Sequence, residues 1–277
     1  MKNQIRKNKM PLMLGKAVLL TLVLLALPNL SKAQGLLVTT NAFDFGANYG
    51  GTGEPTFASG QSGGFGFGNW TINATQGSGS AGAFIGNPSA ANISGMSTES
   101  FGLYANPVSS GASVNASRPL LQALAVGETF RLQWGINFDG NNGSNGNKGF
   151  NLLVGGNQII NVNNGGSPGI QFNSTDTGFS YGTTPMIWSF TRTTATTLLV
   201  EANDRDGSGT FSQTFSRAEG TGITSFQIYA TELSNNSQDQ RQPYFNDFAV
   251  TVPEPSSASL MVLGTAALLA FHRRRNA

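Results

Sequence analysis

From Glu128 to Phe138 every second residue is large and apolar. Phe130, Leu132, Trp134, Ile136 and Phe138 fall on one side, while Arg131, Gln133 and Asn137 fall on the other. Only an extended strand puts alternate side chains on one face; a helix would scatter these five around its axis. The same period of two recurs at Met186, Trp188 and Phe190, and at Phe226, Ile228 and Ala230 against Gln227, Tyr229 and Thr231. It recurs again near the end, with Tyr244, Phe248, Val250 and Val252 expected on one side. Shorter strands are predicted at 150–154, 158–162, 169–172, 196–202 and 210–215. Turn clusters separate them: Asp139-Gly140-Asn141-Asn142-Gly143, Gly155-Gly156-Asn157, Asn163-Asn164-Gly165-Gly166 and Asp206-Gly207-Ser208-Gly209. Strands that are apolar on one face and polar on the other hide the apolar face by packing sheet on sheet. The expected fold is therefore all-β, an antiparallel two-sheet sandwich. Residues 34–117 are richer in Gly and Ser, and there irregular loops and edge strands are expected. One short helical turn is expected at Leu120–Leu124.

Charged residues make up only 11% of the 277-residue chain, against about 25% in ordinary soluble domains. The wet faces must then be built from Asn, Gln, Ser, Thr and Gly, which excludes a coiled coil and a charged disordered tail. The formal charge of +2 misleads, because nine of the 16 basic residues precede residue 34 or end the chain at Arg273, Arg274 and Arg275. Between Gln34 and Val252 stand seven basic and 13 acidic side chains, a formal −6. A body of that sign has no electrostatic reason to seek nucleic acid.

Both ends read as addresses. Met1 to Lys16 carries five basic and no acidic residues. Ala17 to Leu27 is apolar except for Thr21, and Ser31-Lys32-Ala33 places small residues at −3 and −1. This is the layout of a secretory signal peptide cleaved between Ala33 and Gln34, which implies Sec-type export machinery and a signal peptidase as partners. Eleven apolar residues are too few to span a bilayer. At the other end Pro253-Glu254-Pro255 leads into Ala258–Phe271, 14 residues in which only Ser259 and Thr265 are polar. His272 and the three arginines follow. As a helix this run would reach about 21 Å, short of the roughly 30 Å hydrocarbon core. It therefore reads as a marginal transmembrane helix whose arginines stay on the cytoplasmic side. The expected organisation is a signal peptide at 1–33, a β-sandwich at 34–251 and a sorting segment at 252–277.

That terminal order resembles the PEP-CTERM sorting signal of diderm bacteria over Val252–Ala277. The resemblance implies that Pro253, Glu254 and Pro255 are the recognition motif and that an exosortase processes the chain. It also implies a transient membrane-anchored intermediate followed by release or transfer to the cell surface, often in organisms that make exopolysaccharide. The body loosely resembles jelly-roll and concanavalin-like sandwiches. The segment Tyr244-Phe245-Asn246-Asp247-Phe248-Ala249-Val250 is similar to closing strands of that class, a likeness of fold that carries no function.

The body has no Cys and no His, since the one histidine, His272, lies in the tail. Ser-His-Asp and Cys-His nucleophile systems, His/Cys zinc sites, haem ligation and a disulfide framework are therefore unavailable. Lys148, the one lysine of the body, falls in a Gly/Asn-rich stretch and is expected in a loop. Glu99, Glu128, Asp139, Glu201, Asp204 and Asp206 could supply a two-carboxylate glycosidase, though no local motif pairs them. Asp204 and Asp206, two apart before Gly207, are a candidate calcium pair. The later ligands of a full calcium loop are missing and Arg205 offsets the charge, so a plain Asp/Gly hairpin turn is the favoured reading. Asp139–Gly149 is a second, weaker oxygen-rich loop. Trp134 and Trp188 are expected in the core. Trp70, Tyr49, Tyr104, Tyr181 and Tyr229 remain for stacking on sugars. Asn-x-Ser/Thr triplets at Asn73, Asn92, Asn115, Asn142, Asn173 and Asn235 suggest exposed loops. The expected function is an exported, noncatalytic surface or extracellular-matrix protein. The alternative is a lectin-like polysaccharide-binding protein facing exopolysaccharide, with a secreted carbohydrate-active enzyme as a third reading.

Overall fold

Alternation dictates the architecture strand by strand. The computed structural model describes residues 38–50, 57–137, 146–165, 169–203, 209–233 and 242–253. Thr39–Val252 forms one compact unit. Met1–Val38 with Pro253–Ala277 forms another, which lies almost wholly outside the described residues. The strands are β1 (Val38–Asp44), β2 (Thr71–Thr75), β3 (Ser80–Gly86), β4 (Ser100–Asn106), β5 (Ser113–Pro119), β6 (Thr129–Gly135), β7 (Asn147–Val154) and β8 (Asn157–Gly165). They continue as β9 (Gln171–Phe172), β10 (Thr175–Asp176), β11 (Met186–Thr194), β12 (Thr197–Asn203), β13 (Thr210–Ser216), β14 (Ser225–Thr231) and β15 (Tyr244–Pro253). Two 3-10 turns lie at Gly46–Tyr49 and Pro88–Ala91.

One sheet runs β13-β12-β11-β6-β15-β4-β3, with β1 also paired to β15. The other runs β10-β9-β8-β7-β14-β5-β2. The two sheets form a sandwich, and its filling is aromatic. Trp134 and Phe150 meet edge to face across the core at 5.8 Å, Phe226 stacks on Phe248 at 4.7 Å, and Trp188 lies beside Phe190. Both tryptophans are wholly buried, as alternation required.

The described strands depart from the sequence expectations at five places. The Gly-rich region before residue 117 is not all edge. β4 and β5 are interior strands, and Phe101, Leu103, Val114 and Ala116 are sealed in the core. Leu120–Leu124 is not helical, because its N–H groups are claimed elsewhere: Leu120 donates to the carbonyl of Thr224, Leu121 to Gly66 and Leu124 to Ile223. The predicted strand at 169–172 shrinks to Gln171–Phe172. Lys148 is not in a loop but on the inward face of β7, 1% exposed, with its ammonium donating to the Tyr181 hydroxyl at 2.9 Å. Finally, Tyr244 does not share a side with Phe248. The register of β15 slips between Asn246 and Ala249, with Asp247 at φ 54°. This bulge turns Tyr244 to a small cluster with Ala91 and Ile93, while Phe245, Phe248 and Val250 enter the main core.

The N-terminal segment is held by a buried ion pair between Asp44 and Arg118, both side chains fully enclosed. A charge enters a low-dielectric interior only with its hydrogen bonds supplied. Asp44 also accepts from the Tyr49 hydroxyl at 2.7 Å, from the Asn48 amide at 3.1 Å and from the backbone of Phe45. Arg118 donates to the Gly68 carbonyl and to the Ser62 hydroxyl, each at 2.7 Å, beneath the rings of Phe67 and Trp70. Loss of solvation pulls the Arg118 guanidinium down to about 10. Arg118 belongs to β5, so the clamp also steadies a strand whose other face matters below.

Candidate functional site

The outward face of the seven-stranded sheet is built from the polar members of each alternating pair. Register lines them into rows across the strands. One row reads Thr71, Ser117, Gln227, Asn151, Asn161. The next reads Asn73, Asn115, Tyr229, Gly149, Asn163, Gln171, Asp176. A third reads Thr75, Ser113, Thr231, Asn147, Gly165. Rows stand about 6.7 Å apart along the strands, and neighbours within a row about 4.8 Å apart. The three rows contain one charged side chain, Asp176, at the far edge.

Hydrogen bonds join the first row head to tail. Asn161 Nδ2 donates to Asn151 Oδ1 at 2.8 Å, Asn151 Nδ2 to Gln227 Oε1 at 3.0 Å, and Gln227 Nε2 to Ser117 Oγ at 3.0 Å. All three point the same way, so each polarises the next. Asn161 also donates to the Tyr229 hydroxyl at 2.9 Å, and that hydroxyl donates to Asn163 Oδ1 at 2.9 Å. Tyr229 stands on β14 and Asn163 on β8, two strands away. The phenol spans the gap because the residue between them in the row is Gly149, where no side chain stands in the way. A Cβ at Gly149 would itself press on the backbone of β8, 3.0 Å from the Val162 carbonyl carbon. Burial pushes the Tyr229 phenol up to about 12, with the Asn161 hydrogen bond acting in the opposite sense. The tyrosine is therefore neutral at physiological pH.

The result is a shallow open trough of about 390 Å³ bordered by Asn, Gln, Thr and one tyrosine. Among the described residues, the side chains of Asn73, Asn115 and Gln158 make no hydrogen bond to protein. Fixed amides surrounding unspent ones suit a neutral, hydroxyl-rich ligand, which both donates and accepts and brings no charge to be desolvated.

The sequence-predicted site residues fall elsewhere. Ala33, Gln34, Glu254, Pro255, Arg273, Arg274, Arg275, Asp204 and Asp206 lie outside the described residues, as does Asp139. Pro253 is the last residue of β15. The strands flanking the Asp204–Asp206 segment pair from Asn203 opposite Thr210. Glu99 and Glu128 are half-buried and Glu201 is exposed. Among the described residues no three His, Cys, Asp or Glu gather into a group that could hold a metal. Of the aromatics set aside for sugar stacking, Trp70 and Tyr49 are buried and hydrogen-bonded to each other at 2.7 Å. Only Tyr229 joins the amide face. Asn73 and Asn115 are on strands rather than in loops, while Asn92 and Asn173 sit at turns with positive φ. Asn142 and Asn235 lie outside the described residues. Sequence reasoning missed the amide face because the side chains around its trough come from four separate strands, β5, β7, β8 and β14. The available signal was that the polar partners of the apolar residues are amides rather than charges.

The PEP-CTERM protein-sorting motif matches residues 251–276, so the match starts in the final three residues of β15 and continues beyond the described residues. No curated protein matches. Among solved structures, the cellulose induced protein Cip1 is 12% identical with a TM-score of 0.40, covering 65% of this chain and 90% of that one. The VIP36 exoplasmic/lumenal domain in its Ca2+-bound form is 10% identical with a TM-score of 0.40, covering 76% and 88%. The receptor binding domain of botulinum neurotoxin D is 12% identical with a TM-score of 0.37. That match covers 73% of this chain but only 48% of the other. Likenesses of this size carry nothing about ligands. Among the described residues no helix is long and apolar enough to cross a membrane.

Proposed function

We propose that the protein is an exported, noncatalytic surface protein that an exosortase processes at its sorting motif. Once delivered, it presents the amide face of its sandwich to uncharged extracellular polysaccharide. The observation that carries this reading is the run of aligned, hydrogen-bonded amides around Tyr229, in a chain whose sorting motif starts in the last residues of β15. In this reading residues 1–33 are a signal peptide, 34–251 the sandwich and 252–277 the sorting segment. Removal of the segment trims β15 by two residues and leaves its pairing to β6, which ends at Thr251 opposite Thr129, in place.

Two measurements test it. Mass spectrometry of the protein from fractionated cells should find a mature N-terminus at Gln34 and a C-terminus that lacks Ala258–Ala277, in the surface or extracellular fraction. Recovery of the intact 277-residue chain from the cytosol would overturn the sorting half. Affinity electrophoresis through gels containing the host's exopolysaccharide or neutral glucans should retard the protein, and Asn115→Ala with Asn151→Ala should abolish the retardation. Equal mobility in every gel would overturn the binding half.

A further inference from the structure

Four large apolar side chains stand out as exposed among the described residues: Phe65 (45%), Val108 (72%), Leu121 (67%) and Val126 (56%). Three of them gather at one end of the sandwich. Leu121 donates its N–H to the carbonyl of Gly66 at 3.0 Å, which sets it beside the segment that carries Phe65. Val126 belongs to the same 120–128 connection. The return of that connection is fixed by Gly127 donating to the Arg192 carbonyl at 2.7 Å and by Arg192 donating to the Glu128 carbonyl at 2.9 Å. Leu121 and Gly66 border a hollow that reaches Ala42 and Val250. A monomeric sandwich has no internal reason to leave three grouped apolar tips in water.

The chain leaves the sandwich at this same end. Val250 and Thr251 pair with Phe130 and Thr129, the first residues of β6 after the 120–128 connection. Val108 marks the opposite end, in the link between β4 and β5. From Val252 to Ala258 is six residue steps, at most about 20 Å fully extended. β5 alone is about 23 Å long. If the apolar run from Ala258 is held in a bilayer, the end bearing Leu121 and Val126 stays within about 20 Å of it, and seating that end points Val108 away from the headgroups.

We infer that Phe65, Leu121 and Val126 form a lipid-contacting rim, seated shallowly on the membrane while the sorting segment tethers the chain. The inference rests on the tail anchoring described under the proposed function. Charge does not drive the contact, because Arg217 is paired with Glu219, the Arg192 guanidinium is spent on the carbonyls of Leu124 and Ala195, and Glu128 adds a negative charge at this end. Three exposed side chains hold a surface weakly, and the tether raises their effective concentration at it. The contact therefore lasts only until cleavage. Seating this end leaves the amide face, on the flank of the sandwich, open to solvent.

The absence of cysteine makes the test direct. Leu121→Cys, Val126→Cys and Val108→Cys each give one labelling site at an exposed position in the chain with its C-terminal segment retained. Each protein, carrying an environment-sensitive dye, is reconstituted into phosphatidylcholine vesicles with and without shallow nitroxide-labelled lipid. The expected result is quenching at 121 and 126 at least threefold greater than at 108, unchanged when a third of the lipid is anionic. Flotation with the vesicles but equal quenching at all three sites would overturn the rim alone. Failure to float would overturn the anchoring by the tail, and the rim with it. Quenching at 121 and 126 that arises only when exosortase shares the vesicle would assign the surface to that enzyme instead of lipid.

Discussion

Replacing Tyr229 by phenylalanine removes one oxygen from the centre of the amide face, and the structure dictates how stability should respond across pH. The lost hydroxyl donates to Asn163 and accepts from Asn161. Asn161 keeps its bond to Asn151, and the half-buried Asn163 amide can turn to water. The net loss at neutral pH is about 1 kcal/mol, the ordinary worth of one hydrogen bond with no orphan left behind. For a body of this size that lowers Tm by about 2–4 °C. Alkaline pH reverses the order. Burial raises the folded phenol from 10.0 to about 12, so the folded chain holds its proton where the unfolded chain has released it. The stability tied to that proton is complete below about pH 10 and is lost as pH rises from about 10 to about 12, amounting to about 2–3 kcal/mol. Phenylalanine has no proton to lose. Wild type and Tyr229→Phe should therefore exchange rank near pH 11, where the linkage loss first exceeds the hydrogen-bond gain. Arg118, pulled down to about 10, titrates in the same window with the opposite sign, its contribution rising with pH. It is common to both proteins and drops out of the difference. Urea unfolding of the pair at pH 7, 9, 10, 11 and 12, followed by tryptophan fluorescence, measures it directly. Parallel curves with no crossing would refute the claim that the phenol is buried and held neutral over Gly149.

Three further outcomes follow from the same geometry. Asp44→Asn should destabilise by about 3–5 kcal/mol by stranding the buried Arg118 charge, whereas Asp44→Leu with Arg118→Met should come within about 1–2 kcal/mol of wild type; thermal melts of the two variants distinguish the pair from mere packing. Asn151→Leu should break the head-to-tail row and abolish retardation in polysaccharide gels with a Tm change under about 4 °C, since Gln227 and Asn161 can both turn to water. Glu254→Ala should leave the chain unprocessed in the membrane fraction, read by immunoblot as a full-length band, if the Pro-Glu-Pro element is what the exosortase recognises.

Much of this molecule is legible residue by residue. Alternation is a local property of the chain, and it sorted Phe130, Leu132 and Trp134 inward and Gln227, Tyr229 and Thr231 outward without reference to any partner strand. The terminal motif is contiguous, so it too needs no fold to be read. Alternation fails where a backbone irregularity intervenes. The bulge at Asp247 inserts one residue and sends Tyr244 away from Phe248, and no side-chain pattern announces a left-handed aspartate.

What only the tertiary structure decided are the pairings across long chain separations. Asp44 finds Arg118 over 74 residues, and Asn151 finds Gln227 over 76. Trp70, in a Gly-rich stretch with no periodicity, is buried because its ring packs among Phe57, Phe101, Phe226 and Phe248, residues far apart in the chain. The amide face exists only because β5, β14, β7 and β8 come into one register. Facing direction is set by the geometry of a single strand, but register is set by how several strands pack together. The sequence therefore determined which side of each alternating strand would be apolar, and the assembled sheets determined which side chains would meet and which charged ones, such as Lys148 and Arg118, would be enclosed.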